Sequence, residues 1–179
     1  MNSVAIQGIH GSYSEAAARQ LRPNAEIVEC RDFAETFRAV ETGKAGYAVV
    51  PVENKIVGEI EGTASVIKSG RFRIVERIQI GVEHVLAGTE NAEFGTVATV
   101  RSHVEALKQC RKYIGANPRW IEVIGSDTAS SVKRIVEQGD PANAAIGSRR
   151  AAEIYGAKII AENIADDDGN WTAFCLIEI

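Results

Sequence analysis

The residues best placed to do chemistry are hydroxyls gathered where apolar, strand-like runs give way to helical ones: Ser12 and Ser14, Ser102, and Thr128 with Ser130 and Ser131. Free N–H groups at a helix start, joined by such hydroxyls, make an anion site without any Lys or Arg, and a small carboxylate ligand fits it. Simple N-capping explains any one junction alone; three in one small chain tilt the reading toward binding. A fourth junction follows the buried run Tyr47 to Val50, where Pro51, Val52, Glu53 and Asn54 put a carboxylate and an amide at a strand's carboxyl end. Lys55, next in line, either pairs with Glu53 or faces an anionic ligand. Glu59 and Glu61 read as solvated charges.

Other chemistries find little support. His10, His84 and His103 are too scattered to argue for a metal, and each reads as a hydrogen-bonded loop or core histidine. The run Asp166, Asp167, Asp168 lacks the alternating ligand spacing of a calcium loop. Cys30, Cys110 and Cys175 are odd in number and far apart, so they form neither a redox pair nor a zinc knuckle and read as buried free thiols. No metal is predicted. GxGxxG, GxxxxGK[ST] and GxSxG are all absent.

The elements that must position these residues follow from periodicity. Val4 to Ile6 is a short strand, residues 8–14 a Gly/Ser loop, and Glu15 to Leu21 an Ala-rich helix. Ala25 to Cys30 reads as a strand, Asp32 caps a helix carrying Phe33, Phe37 and Val40 on one face, and Tyr47 to Val52 is a buried strand. Ile60 to Ile67 forms a further short helix, and Phe72 to Leu86 is an apolar stretch broken at Gly81. The pattern then restarts: strand Thr96 to Val100, helix Val104 to Ile114, strand Trp120 to Ile124, helix Ala129 to Glu137, strand Asn143 to Ile146, helix Arg149 to Tyr155 ended by Gly156, and strands Lys158 to Ala161 and Trp171 to Ile177. Alternating βα units predict an α/β fold of two lobes, each a mixed, mainly parallel sheet flanked by helices. The lobes are drawn as about residues 1–80 plus 168–179, and about 81–167, with the last strand returning to the first lobe and the site in the cleft between them.

Composition bounds the class of protein. The 179 residues are 45% apolar and 25% charged, and no run approaches the roughly 18 apolar residues of a membrane span. The net charge of −4 and the lack of a basic block argue against a nucleic-acid partner. The opening MNSVAIQGIH lacks a basic n-region and a long h-region, so the cytoplasm is the expected location.

Taken in order, the segments resemble the catalytic domain of prephenate dehydratase over essentially the whole chain. Gly8, Gly11, Ser12, Tyr13 and Ser14 are similar to the family's opening GPxGT/S-F/Y-S element, with Ile9 where proline is usual. GYAVVPVEN, Gly46 to Asn54, resembles its G-x-V-P-I-E-N-S strand and turn; RSHVEALKQC, Arg101 to Cys110, its S-H-P-Q-A-L-x-Q-C helix start, with Val104 for proline. Thr128 matches the S-T-A-x-A region, and AAIGSRRAAEIYG with ENIADDDGNWTAF the closing stretch.

The resemblance implies a periplasmic-binding-protein-like (type II) fold. It also implies decarboxylating dehydration of prephenate to phenylpyruvate in phenylalanine biosynthesis, a lyase reaction driven by aromatisation that needs anion sites and a hydrogen-bond donor but no cofactor. It assigns Thr172 as the donor to the departing hydroxyl and Glu53 and Asn54 as orienting groups. Ser12, Ser102, His103 and Thr128 become anion-binding walls, with Tyr13, Ser14, Lys55 and Phe174 also on the substrate side. The family's closing T-R-F reads Thr172, Ala173, Phe174 here, and Lys55 replaces the serine after E-N. One cation lost and one gained suggests that Lys55 compensates for Ala173, although a flexible point charge does not reproduce a guanidinium fork. A phenylalanine-binding ACT domain usually follows this motif; none is expected within these residues, and oligomer formation, common in the family, stays open. Two other functions are carried: a non-aromatising prephenate decarboxylase, which retention of Thr172 argues against, and a non-catalytic small-carboxylate-binding homologue on the same scaffold.

Overall fold

Each apolar series builds its own α/β unit, and the computed structural model describes both over residues 2–179. The first unit takes in the chain through Ile9, then Tyr13–Val82 and Gly169–Ile179; the second takes in His10–Ser12 and Glu83–Asp168.

In the first unit the elements are β1 (Ser3–Gln7), α1 (Tyr13–Leu21), β2 (Glu26–Cys30), α2 (Phe33–Glu41), β3 (Tyr47–Asn54), β4 (Gly58–Glu59), α3 (Glu61–Lys68) and β5 (Arg73–Gly81). In the second they are β6 (Val85–Gly88), β7 (Thr99–Ser102), α4 (Val104–Gln109), α5 (Arg111–Gly115), β8 (Ile121–Ile124), α6 (Thr128–Gln138), β9 (Asn143–Gly147), α7 (Arg149–Tyr155) and β10 (Lys158–Ala161); the last strand, β11 (Trp171–Glu178), belongs to the first unit.

The first sheet runs β2-β1-β3-β11-β5, with β4 on β3. Strand alternation divides it into two faces. Val4, Ile6, Val49, Ile80, Phe174 and Leu176 pack with Ala17 and Ala18 of α1, whereas Ala5, Ala48, Val50, Cys175 and Ile177 pack with Phe37 and Val40 of α2 and with Phe72. Both faces are therefore dry, which is why β1 and β3 read as continuous apolar runs. The second sheet runs β10-β6-β9-β7-β8. One face carries Leu86, Val100, Ala144 and Ile146 against Ala106 and Leu107 of α4. On β9, Gly147 lets α6 approach so closely that a Cβ there would stand 2.6 Å from Val132.

Antiparallel pairing is more extensive than alternating βα units imply. Only β1–β2, β1–β3, β7–β8 and β7–β9 are parallel among the described residues; β11 runs antiparallel to both β3 and β5, and β6 to β9 and β10. Strands that re-enter a sheet after a long excursion, as β11 does, need not keep the direction that a βα crossover imposes. Two local differences have simple causes. The helix expected from Val104 to Ile114 breaks at Cys110, where α4 ends and α5 begins with the carboxylate of Asp166 accepting the Lys112 N–H. The strand expected at Thr96 begins at Thr99, because Phe94–Thr96 is a 3₁₀ turn closed by a reciprocal Glu93–Thr96 capping box. No helix among the described residues is long and apolar enough to cross a membrane.

Candidate functional site

The register between β3 and β11 sets Thr172 opposite Asn54. Asn54 is the last residue of β3, before a tight turn, and its Oδ1 accepts from the backbone N–H of Ile56 (3.0 Å) and Val57 (3.1 Å). Those two donors fix which end of the amide is which, so Nδ2 must turn toward β11. It donates there to Thr172 Oγ1 (3.0 Å), to the carbonyl of Trp171 (2.9 Å) and to Asn170 Oδ1 (3.1 Å). Because its oxygen accepts from Asn54, the Thr172 hydroxyl keeps its own proton for another acceptor. Asn54, Asn170 and Thr172 are 8%, 4% and 9% exposed, so this small polar cluster is largely removed from water, where hydrogen bonds gain strength.

Glu53 is not part of the cluster. A register shift between Ala173 and Phe174 marks a bulge, and Glu53, the neighbour of Ala173, lies with it on the α2 side of the sheet. There its carboxylate accepts from Arg77 Nη2 at 2.6 Å. Both line a groove of about 350 Å³ with Val52, Ala64, Ile67, Ile74 and Cys175. The guanidinium beside Glu53 therefore comes from β5, while Ala173 between them is fully buried. The Lys55 backbone N–H donates to Trp171 O at 3.0 Å, tying the turn after β3 to β11. Phe174 is 2% exposed and packs in the α1-side core, so it supports Thr172 from within and offers no face to a ligand. Tyr13 opens α1 and packs on the same core; Ser14 is buried in the first turn.

In the second unit the hydroxyls expected to bind anions are mostly engaged within the protein. Ser102 is fully buried and donates to Ile146 O at 2.7 Å, joining β7 to β9. His103 caps α4, its Nδ1 accepting from Glu105 N at 3.3 Å. At α6 the cap is Asp127, which the junction reading passed over: its Oδ1 accepts from Ser130 N (2.7 Å), its Oδ2 from Ser130 Oγ (2.5 Å), and its backbone carbonyl from Ser131 Oγ (2.7 Å). A carboxylate already occupies the positive end of that helix, so the N–H groups of its first turn are answered from within the chain and Thr128 is left as the candidate contact there. Thr128, the first residue of α6, is half-buried beside it.

Ser148, also missed, caps α7 through Ala151 N at 3.0 Å and donates to Gly11 O at 2.8 Å, while Tyr155 OH donates to His10 O at 2.7 Å. One helix thus holds two consecutive carbonyls of the loop that carries Ser12, itself 8% exposed. Gly11 permits this, since its φ is +86° and an added Cβ would stand 2.8 Å from Ala151 Cα. The signal for Ser148 was in the sequence, as a hydroxyl residue directly before a helical run; Asn170 carried none beyond closing an Asp-rich loop.

No group of three or more His, Cys, Asp or Glu among the described residues is arranged to hold a metal ion. The thiols are poor nucleophiles: burial, with Asp166 nearby, pushes Cys110 up to about 12, and burial also raises Cys30 and Cys175.

Set against known proteins, residues 4–179 match the family model described as prephenate dehydratase. The chain is 37% identical over 174 residues to the arogenate dehydratase/prephenate dehydratase 1, chloroplastic, of Arabidopsis thaliana, covering 97% of this chain and 44% of that one. It thus spans less than half the length of this curated relative. The crystal structure of prephenate dehydratase from Arthrobacter aurescens in complex with L-Phe superposes with a TM-score of 0.89 at 28% identity, over 98% of this chain and 60% of that one. A structure described as a novel type of quorum-quenching acylase, GqqA, superposes with a TM-score of 0.86 at 30% identity, over 98% and 63%.

Proposed function

The chain belongs to the prephenate dehydratase family, and from that premise we propose that it dehydrates and decarboxylates prephenate to phenylpyruvate as a cofactor-independent lyase of phenylalanine biosynthesis. The observation that carries this reading is the hydrogen bond from Asn54 Nδ2 to Thr172 Oγ1, which leaves the threonine O–H available to donate to a substrate oxygen. In the reaction the ring carboxylate departs as carbon dioxide and its C–C bond pair completes the aromatic ring. The C–O bond breaks with its pair on oxygen, and a proton from solvent completes water. Thr172 donates to that oxygen as negative charge develops, and Asn54 holds Thr172 in line.

Ser12 and Thr128, with His103 as the structural start of α4, are the substrate-side residues of the second unit; Glu53 steadies the end of β3 from the other face. The name of the Arabidopsis relative carries arogenate beside prephenate, so both are candidate substrates. A reducing, cytoplasmic compartment suits three buried cysteines that form no disulfide.

The test is incubation with prephenate and with arogenate near neutral pH, products identified by NMR. Phenylpyruvate or phenylalanine formed above the blank is expected, with kcat lowered about 10²-fold or more in Thr172→Val and largely kept in Thr172→Ser. A non-aromatic product would turn the reading to a decarboxylase, and binding without product to a carboxylate sensor.

A further inference from the structure

Asn170 is 4% exposed, yet its Nδ2 has no hydrogen-bond partner among the described residues. The rest of the residue is engaged: its carbonyl accepts from Val82 N at 2.9 Å, and its Oδ1 from Asn54 Nδ2 at 3.1 Å. Its amide cannot be turned the other way. The N–H groups of Ile56 and Val57 hold Asn54 Oδ1, so Asn54 presents a donor, and only the oxygen of Asn170 can meet it. The Asn170 amino group is therefore directed away from Asn54 as an unanswered buried donor. Native folds rarely tolerate such a group without cause, and an oxygen arriving with a ligand removes the cost.

We propose that Asn170 is a catalytic residue that donates, together with Thr172, to the departing hydroxyl. Both residues are bonded to the same Asn54 Nδ2, Asn170 at 3.1 Å and Thr172 at 3.0 Å, so their remaining hydrogens emerge from one small cluster. Two donors meeting on one oxygen stabilise charge that grows as the C–O bond breaks, and they do so most in the transition state. Both are neutral, so the cluster favours a hydroxyl that becomes negative over an anion already bound in the ground state. This rests on the dehydratase reading and adds a second donor to it.

Asn170→Asp isolates the donor, because it keeps the shape and the acceptor toward Asn54 while replacing the amino group with oxygen. We expect kcat to fall about 10²-fold with KM little changed. The lost donor also has a pH signature. A protonated carboxyl regains an O–H, so kcat of Asn170→Asp relative to the parent should climb as pH is lowered toward the carboxyl range, which a purely structural role would not produce. If circular dichroism shows Asn170→Asp unfolded, Asn170→Ala takes its place with the same expected fall in kcat. A folded variant with parental kcat overturns the role of Asn170 and leaves the dehydratase reading standing. A parent chain that turns over neither prephenate nor arogenate overturns both.

Discussion

At the scale of single residues, strand alternation separates neighbours that the sequence puts together. Glu53 and Asn54 look like a matched pair, yet the amide joins Thr172 and the carboxylate joins Arg77 on the opposite face. The two should respond differently to substitution. Glu53→Gln removes one member of an ion pair whose side chains are about half exposed, worth under about 1 kcal/mol, and should leave kcat within a few-fold of the parent. Asn54→Ala strips the acceptor from two backbone N–H groups and the donor from Thr172; it should lower stability by about 1–3 kcal/mol and lower kcat as well. Urea unfolding beside steady-state kinetics separates the two, and equal kinetic losses would return Glu53 to the site. Thr172 and Asn54 were legible because the resemblance is borne by their own motifs. Asn170 was not, since nothing in a residue's type reveals which of its hydrogens lacks a partner.

Among the elements, helix starts are where the hydroxyls gather, and most of those hydroxyls are engaged within the protein. Ser130 and Ser131 donate to Asp127, the local bonding expected of hydroxyls in a first helical turn, whereas Ser102 donates across the sheet to Ile146 O. A carboxylate one residue before Thr128 was the available clue, since Asp caps as well as Ser does. The glycine loop is held by α7 and its cap, through Tyr155 and Ser148. Ser148→Ala removes both a cap and the bond to Gly11 and should cost about 1–2 kcal/mol. Gly11→Ala should cost at least as much, because the Cβ meets Ala151 backbone at 2.8 Å in a left-handed conformation. If α7 holds the loop for substrate, Tyr155→Phe, which deletes the bond to His10 O and keeps the ring, raises KM with little change in the urea midpoint. Unchanged KM in a stable Tyr155→Phe would confine α7 to a structural role.

For the whole molecule, periodicity gave the elements and their order but not strand direction, because a period of two is the same for parallel and antiparallel neighbours. The buried charge state of the fold was equally hidden: His84, one of three scattered histidines, is 2% exposed and its Nε2 lies 2.8 Å from Gln109 Oε1. That oxygen only accepts, so Nε2 carries a hydrogen, and it is burial that disfavours a second proton on the ring. Burial lowers the His84 pKa, and the Gln109 bond offsets this only in part. The sign of the stability effect follows. Below about pH 6.5 an unfolded histidine takes up a proton that the native one refuses, so stability is full above that pH and falls as pH drops toward the native value. For one proton the slope is at most about 1.4 kcal/mol per pH unit. Urea unfolding at several pH values between about 7.5 and 5.5 should show that decline in the parent and a flatter profile in His84→Gln, even though the variant starts less stable because it loses packing. Parallel profiles would mean that the acid sensitivity arises elsewhere and that His84 accommodates its proton in the folded state.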